Sequence, residues 1–271
     1  MDTLILKLVL TPTLIALASL AGRRWGPAFS GWLIGLPFTS GPVAFFLALS
    51  HGVTFAAAVA LGTLTGMLAE CVFCLTYAWL ARRAGWPLTL GISSLSFLLS
   101  IAALQYLVLP LALLLPLILV ALALAFRLMP RANAAPKSDL PLQAPAPAPR
   151  WDLPARMVLA TAFVLLLTSV ASILGPRLSG LLTPYPLYAS ILAAFAHRLQ
   201  GPAAAAGVLR GLLMGLYAFV SFFLALALLI EPAGIALAFL VAILAALTVQ
   251  ACSLLVLRHT TAPVAPAQSE A

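Results

Sequence analysis

Two charged residues stand inside apolar runs where a charge is costly. Glu70 lies in Ala69-Glu-Cys-Val-Phe-Cys74 and Arg210 in Val208-Leu-Arg-Gly211. An ionisable residue inside a membrane helix marks a functional site by default, because burying it alone costs several kcal/mol. Glu70 stands about 18 Å along its helix from Arg82, and Arg210 about 12 Å past Pro202, at 1.5 Å per residue. A long arginine side chain spans the difference in depth, so the two are placed to pair. Three chemistries are open to them. Glu70 could accept a proton, Arg210 could contact an anion, or the two could form an ion pair that only fixes helix packing.

A second group carries backbone chemistry. One segment reads Ser30-Gly31-Trp-Leu-Ile-Gly35-Leu-Pro37-Phe-Thr39-Ser40-Gly41-Pro42. Another reads Ser179-Gly180-Leu-Leu-Thr183-Pro184-Tyr185-Pro186-Leu-Tyr188. Proline removes an amide donor and clashes with the carbonyl four residues back, so both helices should kink or break. Carbonyls freed at membrane depth must face protein or a water-filled cavity. Broken helices at matching positions of two halves point to a transport site. Hydroxyls of Thr39, Ser40, Tyr185 and Tyr188 are available there. The plainer reading is a structural kink, with glycines for close packing.

Other arrangements carry less. Cys71 and Cys74 have metal-like spacing but no companion ligands, and read as buried apolar thiols. Cys252 also lies in an apolar run, so no disulfide framework is implied. His51 and His197 sit at loop edges as interfacial anchors. Lys7 and Arg156 are placed to snorkel to an interface. Paired carboxylates, a zinc-protease motif, a phosphate loop and a Ser-His pair are all missing from the sequence. No enzyme, metal or cofactor is expected.

The elements that position these residues follow from composition. The 271 residues are 64% hydrophobic and 7% charged, and the mean hydropathy is +1.16. A soluble domain carries about a quarter charged residues, so soluble enzymes and nucleic-acid binders are excluded. The net charge of +8 comes from 14 basic and 6 acidic residues, with the basic ones at the ends of apolar runs, as in membrane proteins. A helix crossing about 30 Å of hydrocarbon needs about 20 apolar residues. Nine stretches qualify: 4–21, 28–50, 54–80, 86–107, 111–129, 154–175, 178–196, 203–229 and 233–257. The first is not a secretory signal, because Arg23-Arg24 follow its apolar run instead of preceding it.

Charge sets the topology. With nine spans, Arg23, Arg24, Arg82, Arg83, Arg127, Arg131, Lys137, Arg150, Arg156, Arg198 and Arg258 share one side. That side should be the cytoplasm. Lys7 and Arg177 fall opposite. Spans four and five, separated only by Val108-Leu109-Pro110, must then be two helices and not one re-entrant segment. The N-terminus is expected in the periplasm of a bacterial inner membrane and the C-terminus in the cytoplasm. Residues 130–152, rich in Pro and Ala, read as a semi-extended cytoplasmic linker. Residues 259–271 read as a disordered tail.

A shift of 149 residues superposes two halves without a gap. Gly26-Pro27 meets Gly175-Pro176, Ser30-Gly31 meets Ser179-Gly180, and Pro37 meets Pro186. Gly52, Gly62 and Gly66 meet Gly201, Gly211 and Gly215. Each half is a four-helix unit, residues 1–107 and 153–258, with the helix of 108–129 unmatched. An odd helix between two repeats turns the second upside down. The expected fold is therefore an all-α membrane protein of nine transmembrane helices, two inverted four-helix repeats joined by an extra helix. The Gly62/Gly66 and Gly211/Gly215 pairs should mark a close helix contact. Glu70 meets Phe219 and Arg210 meets Leu61, so the halves have diverged in charge.

The stretch from Ser179 to Tyr188, Gly201, Leu209-Arg210 and Gly215, with a single basic residue opening the first helix of each half (Lys7, Arg156), resembles the GlpM family of small bacterial inner-membrane proteins. The resemblance is closer in the second half, because Leu61 stands where Arg210 would match. It implies a duplicated four-helix unit and no particular reaction. The layout is also similar to fused fluoride channels and to duplicated drug/metabolite transporters, though the signature residues of neither are found. The sequence thus predicts a transporter or channel for a small solute, ion or lipid-linked species. Its pathway would be lined by Glu70, Arg210, Ser30, Gly31, Gly35, Pro37, Thr39, Ser179, Gly180, Pro184, Tyr185, Pro186 and Tyr188. The alternative is an accessory or scaffold protein for envelope polysaccharide or lipid biosynthesis. The partners expected are the bilayer, the unknown solute or ion, and a second copy of the chain.

Overall fold

A computed structural model describes residues 35–130 and 152–260, with isolated positions (5, 8, 9, 12, 13, 16) before them. Ser30, Gly31, nearly all of the first span, the linker core and the tail lie outside the described residues. The described chain is helical, without strands. In order, the helices are α1 (Ser40–His51), α2 (Val53–Leu80), α3 (Trp86–Leu104), α4 (Leu111–Leu128), α5 (Asp152–Leu182), α6 (Leu187–Gln200) and α7 (Pro202–Thr260). Five helices are long and apolar enough to cross a membrane: α2, α3, α4, α5 and α7.

Two of these long helices are bent pairs. In α5 the run breaks at Gly175 (φ 74°, ψ 170°), and in α7 at Gly234 (φ 77°, ψ 173°). An unbroken α7 would extend about 88 Å at 1.5 Å per residue, far beyond a bilayer, so Gly234 must turn the chain back. Span seven, expected over 178–196 with a kink or break at its prolines, is two pieces, 176–182 and 187–200. The prolines at 184 and 186 separate them.

The core is built on α2. In its most apolar stretch 72% of the residues are buried, against 22% in α3 and in α4, which therefore turn most of their surface to lipid. Leu88, Leu95, Leu98 and Leu99 of α3 and Leu113, Val120 and Leu124 of α4 are exposed. A soluble protein could not leave such a surface bare. Helix α2 packs against α1, α3, α4, α5 and α7. Its buried Leu64, Met67, Phe73 and Tyr77 share one apolar cluster with Leu209, Leu213, Phe222, Phe223 and Leu226 of α7.

Helices α3 and α4 are separate, joined by residues 105–110. Their ends identify the two ends of the bundle. The indole N–H of Trp79, near the end of α2, donates to the carbonyl of Leu128 at the end of α4 (3.1 Å). Arg82 lies over the Trp79 ring at 5.7 Å. At the opposite end Arg177 donates to the carbonyls of Leu104 (3.4 Å) and Leu107 (2.5 Å), where a cation complements a helix C-terminus. Arg82, Arg83 and Arg127 therefore share one end, and Arg177 holds the other.

Candidate functional site

The turns at Pro37 and Pro186 share two backbone hydrogen bonds. The Phe38 amide donates to the Leu36 carbonyl across Pro37 (2.8 Å), and the Leu187 amide to the Tyr185 carbonyl across Pro186 (2.7 Å). Both are three-residue turns, and Pro186 (φ −78°, ψ 57°) has the inverse γ geometry. The next bonds repeat as well. Gly41 N–H reaches Pro37 O (2.8 Å) and Ser190 N–H reaches Pro186 O (2.7 Å). Proline fixes φ and supplies no donor, so the chain can tighten there and restart as a new helix. The helices that follow, α1 and α6, each end at a glycine in the same conformation, Gly52 (φ 88°, ψ 174°) and Gly201 (φ 88°, ψ 179°).

The two breaks meet. Ser40 Oγ, on the first turn of α1, donates to the Thr183 carbonyl in the second break (3.0 Å, buried). That carbonyl would otherwise be left free at membrane depth. Thr183 turns its own hydroxyl back to Ser179 O (2.6 Å). Thr39 precedes α1 and makes no side-chain cap.

Glycines bring the backbones together. A Cβ on Gly62 would stand 2.8 Å from Arg177 O and 3.0 Å from the Gly180 Cα. A Cβ on Gly66 would stand 2.5 Å from Leu181 O and 2.7 Å from Pro184 Cγ. A Cβ on Gly35 would run into the Gly215 backbone. These contacts are exchanged between the halves. Gly66 touches the second break at Pro184, and Gly215, 149 residues on, touches the first break at Gly35, the counterpart of Pro184. Gly211 is half-buried on the same helix.

Below Gly66 the same face of α2 continues through Glu70, Phe73 and Tyr77, at helical spacings of four, seven and eleven. The face runs parallel to the broken helix. Gly62 meets Gly180, Gly66 meets Pro184, the Phe73 ring lies 6.1 Å from Tyr185, and Tyr77 lies 6.1 Å from His197. Among the described residues no Cα of α2 comes within 8 Å of a Cα of α6. The helices splay below the break, and aromatic rings fill the gap. Tyr185 stands among Phe73, Phe97 (5.3 Å) and Phe163 (6.3 Å), with its hydroxyl 2.8 Å from Ser94 Oγ.

Glu70 is 3% exposed, and its Oε2 has no hydrogen-bond partner. It does not pair with Arg210. The half-buried guanidinium of Arg210 instead lies over the Phe126 ring of α4 at 4.4 Å, a cation–π contact. The two charges sit on different helix interfaces, because Arg210 points from α7 toward α4. Cys71 and Cys74 are buried, Cys252 is exposed, and no group of three or more potential metal ligands occurs among the described residues. At the Arg177 end of the seam a cleft of about 190 Å³ opens between Leu61, Gly62, Thr65, Leu107, Arg177 and Leu181.

Of the pathway residues named from sequence, the structure gathers Gly35, Pro37, Thr39, Ser179, Gly180, Pro184, Tyr185, Pro186 and Glu70 around one interface. Tyr188 is half-buried in the first turn of α6, and Arg210 stands apart. Sequence reasoning missed Phe73, Tyr77, Ser94 and Phe97 and undervalued Ser40, Arg177 and His197. The first two were reachable, since they continue the face of Gly62, Gly66 and Glu70. Compared with protein-family models, curated proteins and solved structures, the chain matches none.

Proposed function

We propose that this protein moves a small solute or ion across a bacterial inner membrane, through the interface of two inverted four-helix halves joined by α4. The observation that carries the reading is the meeting of the proline turn that opens α1 with the proline break between α5 and α6, tied by Ser40 and the Thr183 carbonyl. Paired broken helices at a repeat interface are the usual construction of a transport site. The reciprocal Gly66–Pro184 and Gly35–Gly215 contacts support a two-fold relation. The odd helix between the halves makes that relation an inversion. In this reading nine spans place the end holding Arg82, Arg83 and Arg127 in the cytoplasm, with the N-terminus periplasmic. The likeness of the second half to the GlpM family fits a duplicated small membrane protein.

The test is uptake into proteoliposomes containing the purified protein, under imposed potential and ion gradients, with a panel of labelled inorganic anions, amino acids and sugars. Wild-type protein is expected to move at least one of them, and Pro186→Ala, which lets the second break close into a helix, to slow it. Absence of flux for every probe, together with stoichiometric co-purification of an envelope enzyme, would overturn transport in favour of an accessory role.

A further inference from the structure

Five buried polar atoms without a hydrogen-bond partner lie along the seam between α2 and the broken helix. They are Arg177 Nε, Ser179 Oγ, Glu70 Oε2, Tyr77 Oη and His197 Nδ1. A buried polar atom left unpaired has given up its hydrogen bonds to water without replacement. Such a row, in a chain with 7% charged residues, calls for a use. Its order along the seam is Arg177 and Ser179 at one end, Glu70 beside the break, then Tyr77, then His197 at the arginine-rich end. His197 is half-buried, with Nδ1 turned inward. Among the described residues, the counterpart seam lacks the last three of these groups. Phe219, Leu226 and Ala48 stand where Glu70, Tyr77 and His197 would fall, and all three are buried apolar side chains.

Building on the transport reading, we propose that this seam is a proton path and that Glu70 is the proton-binding site of a proton-coupled carrier, loaded from the His197 end. A proton taken up at the His197 ring is passed on from a ring nitrogen. Through a bridging water the Tyr77 oxygen accepts a proton while releasing its own hydroxyl proton, and Glu70 ends as a neutral carboxylic acid. Only N–H and O–H bonds change. Glu70 and Tyr77 are two helical turns apart, about 10.5 Å, and the proposed path needs water to enter the seam and bridge that gap. A neutral Glu70 crosses the apolar interface at a much lower desolvation cost than its carboxylate. The other titratable groups around it are Cys71 and Cys74 on its own helix, Tyr217 of α7, which interacts with Cys71, and Tyr185 in the break. Helix α3 has no titratable side chain, Arg177 of α5 binds carbonyls at the far end, His51 of α1 stacks on Phe55, and Arg210 of α7 and Arg127 of α4 lie elsewhere. His197 faces Tyr77, with Arg198 beside it.

Infrared difference spectroscopy on the full chain in liposomes tests the path without needing a substrate. The wild type should show a carboxylic acid C=O band, absent in Glu70→Gln, that exchanges rapidly with deuterium. Tyr77→Phe and His197→Gln should each slow that exchange by about 100-fold, as loss of a proton-relaying side chain does, while Leu226→Ala on the apolar seam should not. Should Tyr77→Phe prove unstable in detergent, His197→Gln at the half-buried end reads the same route. Unchanged exchange in both variants, or no Glu70 band at any pH, overturns the path. Solute uptake with unchanged exchange kills only the proton path. Exchange that depends on Tyr77 and His197, without uptake of any solute, kills only the transport reading.

Discussion

Glu70 shows how much one residue can reveal before its neighbours are known. Its depth in a span follows from counting residues to Arg82. Its partner does not, because rotation about α7 decides where Arg210 points, and it points at Phe126. The glycines on the same helix face are the complementary case. Gly66 approaches the second break so closely that a methyl group would sit 2.5 Å from the Leu181 carbonyl oxygen. Backbone cannot move aside as a side-chain tip can, so Gly66→Ala should destabilise by about 1–3 kcal/mol, the cost of overpacking. The measurement is thermal unfolding in detergent, and a melting temperature equal to wild type would show that the approach is looser than described. Sequence spacing marked the glycine pair, but not that its contact is the second break instead of another glycine-rich helix.

At the scale of elements, the breaks and the glycine joints are set locally. Pro37 and Pro186 make the same turn because proline dictates it. Gly52 and Gly201 connect helices with φ 88° and ψ near 180°, a region essentially restricted to glycine. Gly52→Ala and Gly201→Ala should each cost about 1–3 kcal/mol. Gly91, in open space on α3 with no left-handed backbone, should behave oppositely. Alanine there should stabilise by about 0.5–1 kcal/mol, since glycine inside a helix is entropically costly. Unfolding of the three variants side by side checks the contrast in sign. Span seven was legible as a broken helix, but its joining to span six through Gly175 was not. A glycine between two helices fixes neither the turn angle nor the packing of the second piece.

For the whole molecule, the ends of the bundle matter most. Trp79 bonded to Leu128, and Arg177 bonded to Leu104 and Leu107, place α2, α3 and α4 as three successive antiparallel crossings. With the proposed orientation, the 105–110 loop faces the periplasm. In a chain lacking Cys71, Cys74 and Cys252, Gln105→Cys should label with an impermeant maleimide in intact spheroplasts. Arg83→Cys should label only after permeabilisation. The reverse pattern would invert the orientation.

Composition and hydropathy determined by themselves that the chain lives in a bilayer, because 7% charged residues cannot clothe a globule in water. The proline and glycine positions determined where helices break, since those constraints act within a few residues. Only the tertiary structure decided that the breaks touch, that Glu70 lies unpaired beside one of them, and that the polar row runs to His197. Those facts depend on how helices rotate and lean against one another, and a nearly uniform apolar surface leaves that choice to shape and to a few distant contacts.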